Sequence, residues 1–501
     1  MYREIAFLIL LNMLKILKIL SSKHRSLLYF SLLLLLFLTT FEILIFAYLQ
    51  ELINYFNEGM SRSYFSKILP FAESGKLIQL LICFLSFFLL RTLVYTLFSF
   101  SRSRLVQKVN DDLSQKLFSN YLNNDYIFFL NTNSSKLISN TITEVEKFAY
   151  RTIDPLIYLF AEIFIIAGVF VYLITSYFEA TIAMTILIAL FYLIFYQTYR
   201  NHFKKLGKEK TESDAKKLDE LQKSFYIINE IKIGKLENFF IENFVKNTKK
   251  SSASLFKLNF FSDLPKSIIE LISLIFILIL LFYAYSVLSF NKKEMLAMCG
   301  IFVVALFRLL PSANRIYHSL NSIKYHHSSI NVIYFELFLK KNSQFLKIED
   351  RKIDSKFQSI NLKDISFSYS SNNVVLDRIN LNVDRGELVG ICGKSGEGKT
   401  TLLNIICGLI NPSTGAVLLN NTENIADFKE SYFDLVSYVS QNVFLIDDTV
   451  KANVALGKKF PNQEKFLKAM KLSNLSELID DPACGKESGM LGEFGSKISD
   501  L

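Results

Sequence analysis

The stretch Gly393-Lys394-Ser395-Gly396-Glu397-Gly398-Lys399-Thr400-Thr401 decides how the chain is read. It fills every fixed position of the phosphate-loop pattern G-x-x-x-x-G-K-[ST]. Ahead of it, Glu387-Leu388-Val389-Gly390-Ile391-Cys392 reads as a short buried strand. Behind it, Thr401-Leu402-Leu403-Asn404-Ile405-Ile406-Cys407 reads as the start of a helix. Strand, glycine loop and helix together form the setting in which this pattern carries chemistry. Glycines let the backbone curl so that its N–H groups face a phosphate, and the helix N-terminus adds a dipole that favours negative charge. In such a loop Lys399 reaches the β- and γ-phosphates of a nucleotide, and the Thr400 hydroxyl ligates Mg²⁺.

Composition places a different kind of domain in front of this one. The 501 residues are 51% hydrophobic and include 47 Phe. Uninterrupted apolar runs occur only before about residue 320, so a membrane domain precedes a soluble one. The formal net charge of +10 does not point to nucleic acid, and no nucleic-acid partner is expected. The basic residues cluster beside apolar segments, as cytoplasmic membrane flanks do. Cys83, Cys299, Cys392, Cys407 and Cys484 are scattered without C-x-x-C pairs and read as free thiols rather than zinc ligands.

Residues 1–26 form an N-terminal extension in which Arg3, Lys15, Lys18, Lys23 and Arg25 outweigh Glu4. Met13 to Leu20 is amphipathic and reads as an interfacial elbow helix. No small-residue cleavage site follows, so it does not read as a cleaved signal peptide. Six spanning segments are expected at about 27–49, 77–99, 155–177, 181–199, 267–289 and 295–317, each near the length that crosses hydrocarbon. Stretches 100–154 and 200–264 are long and rich in Lys and Arg. The positive-inside rule puts them, and both termini, in the cytoplasm. Helical periodicity in these stretches implies that the spanning helices continue beyond the bilayer. The domains expected are therefore a six-helix membrane domain over 27–320, a helical linker over 321–359, and an α/β nucleotide-binding domain from 360 to 501. In the last, Ile365–Tyr369, Val374–Leu376 and Ile379–Val383 are strand-like runs separated by turn residues.

Six spans followed by a phosphate-loop domain resemble the ATP-binding-cassette exporters over nearly the whole chain. The resemblance implies ATP with Mg²⁺ as cofactor, held by Gly393, Lys394, Ser395, Gly396, Glu397, Gly398, Lys399, Thr400 and Thr401. Tyr369 matches the aromatic residue that stacks on adenine in that family. A strand aromatic with no such role is the alternative reading of the residue itself. Gln441, in Val439-Ser440-Gln441-Asn442-Val443-Phe444-Leu445, matches the Q-loop residue that senses Mg²⁺, and Thr449–Gly457 follows as the family expects. Segments near Asn124–Asn131 and Ile228–Lys235 sit where its coupling helices would be. Arg308–Ile316 and Tyr325-His326-His327-Ser328-Ser329 are similar to the bacterial flippase of lipid-linked oligosaccharides used in protein N-glycosylation. On that comparison the reading frame starts near Met13. Two copies of the chain are implied, because each ATP in this family is held between one subunit's phosphate loop and the other's signature.

The C-terminal run Gly492-Glu493-Phe494-Gly495-Ser496-Lys497-Ile498-Ser499 resembles the approach to the family's signature, and Asp500 and Leu501 follow it. Asp480 and Asp481 end a helical stretch, Phe466 to Ile479, and are not a displaced Walker B carboxylate. The expectation is a nucleotide-binding domain that is incomplete within this sequence: no catalytic residue is assigned, no ATP is hydrolysed by the chain alone, and the part from about Asn361 is protease-sensitive.

Cations inside the apolar segments carry the remaining signal. Arg91 lies in the second span and Arg308 in the sixth, Arg315 follows seven residues later on the same helix face, and Lys266 opens the fifth. A cation at the bilayer centre costs about 3 kcal/mol on insertion scales, so these four are expected to face a polar cavity suited to an anionic substrate such as a pyrophosphate-linked lipid. Snorkelling, or pairing with Glu42, Glu162 or Glu270, remains the alternative. The function expected is ATP-driven flipping of an anionic amphiphile at the bacterial inner membrane, the chain being multi-pass with its N-terminus and ATP-binding domain cytoplasmic. The alternatives are a generic lipid or drug exporter, and a non-hydrolysing membrane-anchored remnant that at most binds ATP.

Overall fold

The computed structural model describes residues 14–58, 77–286, 292–339, 357–370, 373–441, 444–457 and 463–475. Residues 1–13, Cys484, the Asp480-Asp481 pair, and the signature-like run with Asp500 and Leu501 lie outside the described residues, as do Asn442 and Val443. The chain divides into two compact units. One comprises Met1–Asn124 and Phe129–Ser343, the other Asp125–Phe128 and Gln344–Leu501.

Among the described residues of the first unit, six helices are long and apolar enough to cross a membrane, in the order the apolar runs predict. They are α1 (Ser22–Glu58), α2 (Leu77–Leu122), α3 (Asp154–Ser176), α4 (Phe178–Tyr226), α5 (Glu237–Ser286) and α6 (Lys292–Tyr325). The longest, α4 and α5, have 49 and 50 residues. At 1.5 Å per residue they extend for roughly 75 Å, more than twice a hydrocarbon core of about 30 Å. Pro155 falls in the first turn of α3. Pro265 and Pro311 lie inside α5 and α6.

Two faces of these helices behave differently. Leu81, Leu85, Leu89 and Leu93 on α2 are 44–62% exposed, and so are Leu274, Leu278 and Phe282 on α5, at 63–71%. Spacings of four put each set on one stripe, which fits contact with lipid chains. The opposite stripes pack. Phe46, Ala47 and Tyr48 of α1 meet Val169, Tyr172 and Leu173 of α3 and Ile301 and Ala305 of α6. Met184 of α4 joins Phe276, Leu280 and Ala284 of α5 and Phe302 and Leu306 of α6. Before α1, residues 14–19 are helical, with Ile16 and Ile19 buried. His24 at the start of α1 is buried, and its Nε2 lies 2.8 Å from Asp112 Oδ2 of α2.

The second unit holds a four-stranded antiparallel sheet in the order β2-β1-β3-β4. The strands are β1 (Ser359–Ser370), β2 (Asn373–Asp384), β3 (Thr414–Leu419) and β4 (Glu423–Asn424). The predicted runs 374–376 and 379–383 merge into the single strand β2. Ile360, Leu362, Ile365 and Phe367 of β1 all point into the core, with Leu376, Ile405, Val417, Leu419, Phe428 and Tyr432. Ile127, of the segment grouped with this unit, packs against the same core.

Strict alternation would put Leu362 and Ile365 on opposite faces. A bulge at Lys363–Asp364 resets the phase: Asp364 has φ +49°, and the register against β2 shifts there. Asn380 clamps it, since Asp364 N–H donates to Asn380 Oδ1 at 2.9 Å and Asn380 Nδ2 donates to Asp364 Oδ1 at 2.9 Å. Strand β3 then approaches so closely that a Cβ on Gly415 would stand 2.4 Å from both Lys363 O and Asp364 O.

The buried strand expected at 387–392 is not found. The segment has no sheet partner among the described residues, and Leu388 is 98% exposed. The run before Gln441 likewise forms no strand among the described residues, with Val439 88% exposed. An apolar run becomes a buried strand only when a neighbouring strand completes its ladder, and the described strands pair antiparallel among themselves elsewhere.

Gly415→Ala is expected to destabilise the second unit by about 2 kcal/mol or more, because φ is +86° and backbone oxygens fill the space a methyl needs. Hydrogen exchange across β1 and β3 reads this out. Unchanged protection would mean that the close approach does not matter.

Candidate functional site

The phosphate loop closes over the edge of β2. Gly398 precedes α7 (Lys399–Ile406) with φ +87°. A Cβ there would come within 2.9 Å of the Val375 side chain and 3.2 Å of Val375 O, so only glycine lets the loop pass this strand and enter the helix. The opening of α7 therefore sits where residues 393–397 curl, and these residues are exposed. Lys399 Nζ turns back onto the loop, donating to Gly393 O at 2.8 Å and to Lys394 O. Glu397 Oε2 accepts from Lys394 N–H at 2.6 Å. Ser395, Gly396 and Thr400 are exposed, while Thr401 is buried beneath the helix start.

Tyr369, at the end of β1, belongs to the same cluster. Its hydroxyl lies 3.1 Å from Thr401 Oγ1. Its ring stands edge-on to Phe367, 4.9 Å between centroids at 90°, yet is 45% exposed. A ring fixed at its hydroxyl and braced on one edge, with a free face, can stack on a base. Tyr432 supports the far end of α7: its hydroxyl donates to Ile406 O at 2.7 Å, and burial pushes the phenol up to about 12. Gln441 is exposed, two residues beyond Val439. Thr449 caps the helix Val450–Ala455 through Ala452 N–H at 3.1 Å.

The group that fits this loop is a nucleotide with its cation. Backbone donors, an ammonium and an exposed hydroxyl on Thr400 converge at one helix N-terminus, and the half-exposed ring of Tyr369 joins them through Thr401. Phosphates need donors and positive charge, Mg²⁺ needs oxygen, and the base needs a flat apolar face.

In the membrane unit, Arg91 and Arg308 share one carboxylate oxygen. Arg91 Nε and Nη2 donate to Glu42 Oε1 at 3.0 and 2.8 Å, and Arg308 Nη2 lies 2.7 Å from the same atom. The Glu42 side chain is 5% exposed, those of Arg91 and Arg308 20% and 19%. Arg315 Nε lies 2.5 Å from Glu162 Oε1. Arg102 pairs with Asp154 at 3.0 Å and lies over the Tyr158 ring at 3.9 Å. The side chain of Lys266 lies outside the described residues, although its backbone is part of α5. Two cations on one anion leave Glu42, Arg91 and Arg308 with one excess positive charge, and Arg308 Nε and Glu162 Oε2 are buried without a hydrogen-bond partner among the described residues. Sequence reading treated Glu42 as one of three possible partners. Its distinguishing signal is isolation, as it is the single charge between Arg25 and Glu51.

Glu42→Ala is expected to destabilise the membrane unit by about 2–3 kcal/mol, since it leaves two guanidiniums facing each other in an apolar segment. This is below the value for a fully buried pair because both are one-fifth exposed. Arg91→Gln should cost less, as Arg308 keeps the carboxylate paired. Thermal unfolding in detergent compares the two, and an equal or reversed order would contradict the shared-oxygen geometry.

Residues 21–307 match the ABC transporter transmembrane region family, and residues 376–490 match the ABC transporter family. The putative multidrug export ATP-binding/permease protein YgaD of Bacillus subtilis (strain 168) is 24% identical over 405 residues, covering 78% of this chain and 67% of that protein. The ATP-dependent lipid A-core flippase of Desulfotalea psychrophila is 34% identical over 142 residues, covering 28% of this chain; the match spans about a quarter of that protein's length, 24%. Among solved structures, a bacterial Atm1-family ABC exporter with ATP bound superposes with a TM-score of 0.69 at 16% identity, covering 94% of this chain and 81% of that one. That likeness concerns the fold.

Proposed function

The chain belongs to the ABC transporters, and from that premise we propose that it is a half-transporter in which ATP drives an anionic amphiphile outward from the cytoplasmic leaflet of a bacterial inner membrane. The observation that carries the substrate class is the shared Glu42 oxygen. Pairing offsets the cost of two arginines in apolar segments and still leaves one unit of positive charge there. A phosphate or pyrophosphate headgroup supplies the complementary charge, and guanidinium forks match its oxygens. A lipid-linked oligosaccharide has such a headgroup. Arg91 and Arg308 would meet it, with Arg315 and Lys266 on the same route. Orphaned polar atoms at Arg308 Nε and Glu162 Oε2 support a path that also admits water or ligand.

For the cofactor, Lys399 and the loop backbone would hold the phosphates, Thr400 and Gln441 the Mg²⁺, and Tyr369 the adenine. When bound, ATP supplies the free energy of the cycle. The chain's own residues position it: the glycine at 398 sets the helix start against β2, and Thr401 anchors the Tyr369 ring. Two copies form the working unit, and the ATP-binding unit with the N-terminus lies in the cytoplasm, as the basic stretches 100–154 and 200–264 favour.

A second reading, export of a neutral lipid or drug, is favoured by one observation. An apolar cavity of about 220 Å³ lies among α3, α4, α5 and α6, lined by Ile166, Phe170, Met184, Ile188, Ile269 and Leu306. An apolar hollow of this size accepts a hydrocarbon group.

Lys399→Ala is expected to weaken ATP binding at least tenfold, by removing the ammonium that the loop places for the phosphates. Equilibrium binding of ATP to the purified chain measures it. Equal binding with and without this side chain would remove the nucleotide site from the account.

A further inference from the structure

We propose that Glu397 is a built-in competitor for the nucleotide's phosphates, its carboxylate occupying part of the loop's own anion-binding ground and thereby setting the affinity and charge preference of the site. The inference rests on the nucleotide reading above and deepens it.

The peptide unit joining Gly393 and Lys394 is gripped from both sides. Its N–H donates to Glu397 Oε2 at 2.6 Å. Its carbonyl, Gly393 O, accepts from Lys399 Nζ at 2.8 Å. The carboxylate also lies against the bare Cα of Gly393: a Cβ there would come within 2.6 Å of Glu397 Oε2. Glu397 is exposed, with solvent available to hydrate its charge. It is nevertheless turned inward onto a backbone donor, giving up rotamer freedom to do so. A hydrogen bond from N–H to a carboxylate is charge-assisted and about twice as strong as a neutral one.

Backbone N–H groups curled before a helix N-terminus, and the phosphate-loop lysine, are what meets a nucleotide's phosphates. Carboxylate and phosphate carry the same sign and seek the same donors. They cannot share this loop without repulsion, which weakens each at close range. Phosphates therefore enter as Glu397 swings out. The penalty grows with the ligand's negative charge, so nucleotide carrying Mg²⁺ is favoured over free nucleotide by more than the ligation of the cation alone provides.

Glu397→Gln separates this role from a merely structural one. Glutamine keeps the length and an oxygen that accepts from Lys394 N–H, but removes the charge. The test titrates the purified full chain in lipid nanodiscs with the fluorescent nucleotide MANT-ATP, with and without Mg²⁺, for wild type, Glu397→Gln and Lys399→Ala. The expected result is about tenfold tighter binding by Glu397→Gln and a smaller ratio between the Mg²⁺ and Mg²⁺-free affinities. Binding gained by Glu397→Gln where wild type shows none supports the inference equally. Unchanged or weaker binding by Glu397→Gln, with wild type binding and Lys399→Ala impaired, overturns it and leaves the nucleotide site intact. Absence of saturable binding in all three overturns the nucleotide reading, and this inference with it.

Discussion

A buried carboxylate shared by two cations is the constraint on which the membrane unit depends. Glu42 accepts from Arg91 of α2 and faces Arg308 of α6 through one oxygen, so a single side chain of α1 ties three helices. Apolar packing alone is weakly directional between helices in lipid, because lipid tails compete with side chains on equal terms. The ion triad supplies the register that the Leu and Phe stripes lack. Glu162 with Arg315 does the same for α3 and α6. The excess positive charge that results is tolerable because the two arginine side chains keep about a fifth of their surface open.

The second unit meets a related problem with opposite means. Its loop must keep backbone N–H groups within reach of an anion. Glu397 satisfies one of them, accepting from Lys394 N–H, while Lys399 Nζ donates to the carbonyls of Gly393 and Lys394. The sheet holds this loop because Gly398 can cross Val375 and because the Asp364 bulge lets β3 close behind β1. Fold and site are linked at Tyr369, which ends β1 and reaches Thr401 on α7.

Much of this was legible in the residues. The six spans follow from apolar runs because bilayer thickness sets their length. The phosphate loop follows from its glycines and Lys399, and Tyr369 from its place ahead of the loop. Four features were not. The segment 387–392 has a strand's composition, yet burial is decided by a neighbour that composition cannot supply. The phase change between Leu362 and Ile365 depends on a left-handed Asp364 and on Asn380 in another strand. The partner of Arg91 and Arg308 could have been any of three acids, since pairing across helices depends on their rotation. The limits of α2, α4 and α5 were also hidden, because no hydrophobic signal marks where a helix continuing into water should end.

The most direct test of the account is ATP-dependent translocation, by a chain whose nucleotide-binding domain carries the signature and Walker B segments, in proteoliposomes of two fluorescent lipids with the same tail, one with a pyrophosphate headgroup and one with a neutral headgroup. Wild type and Arg308→Gln are compared. The account predicts ATP-dependent movement of the pyrophosphate lipid well above that of the neutral one, with the difference lost in Arg308→Gln. Movement of both lipids at equal rates, or of neither, would contradict it.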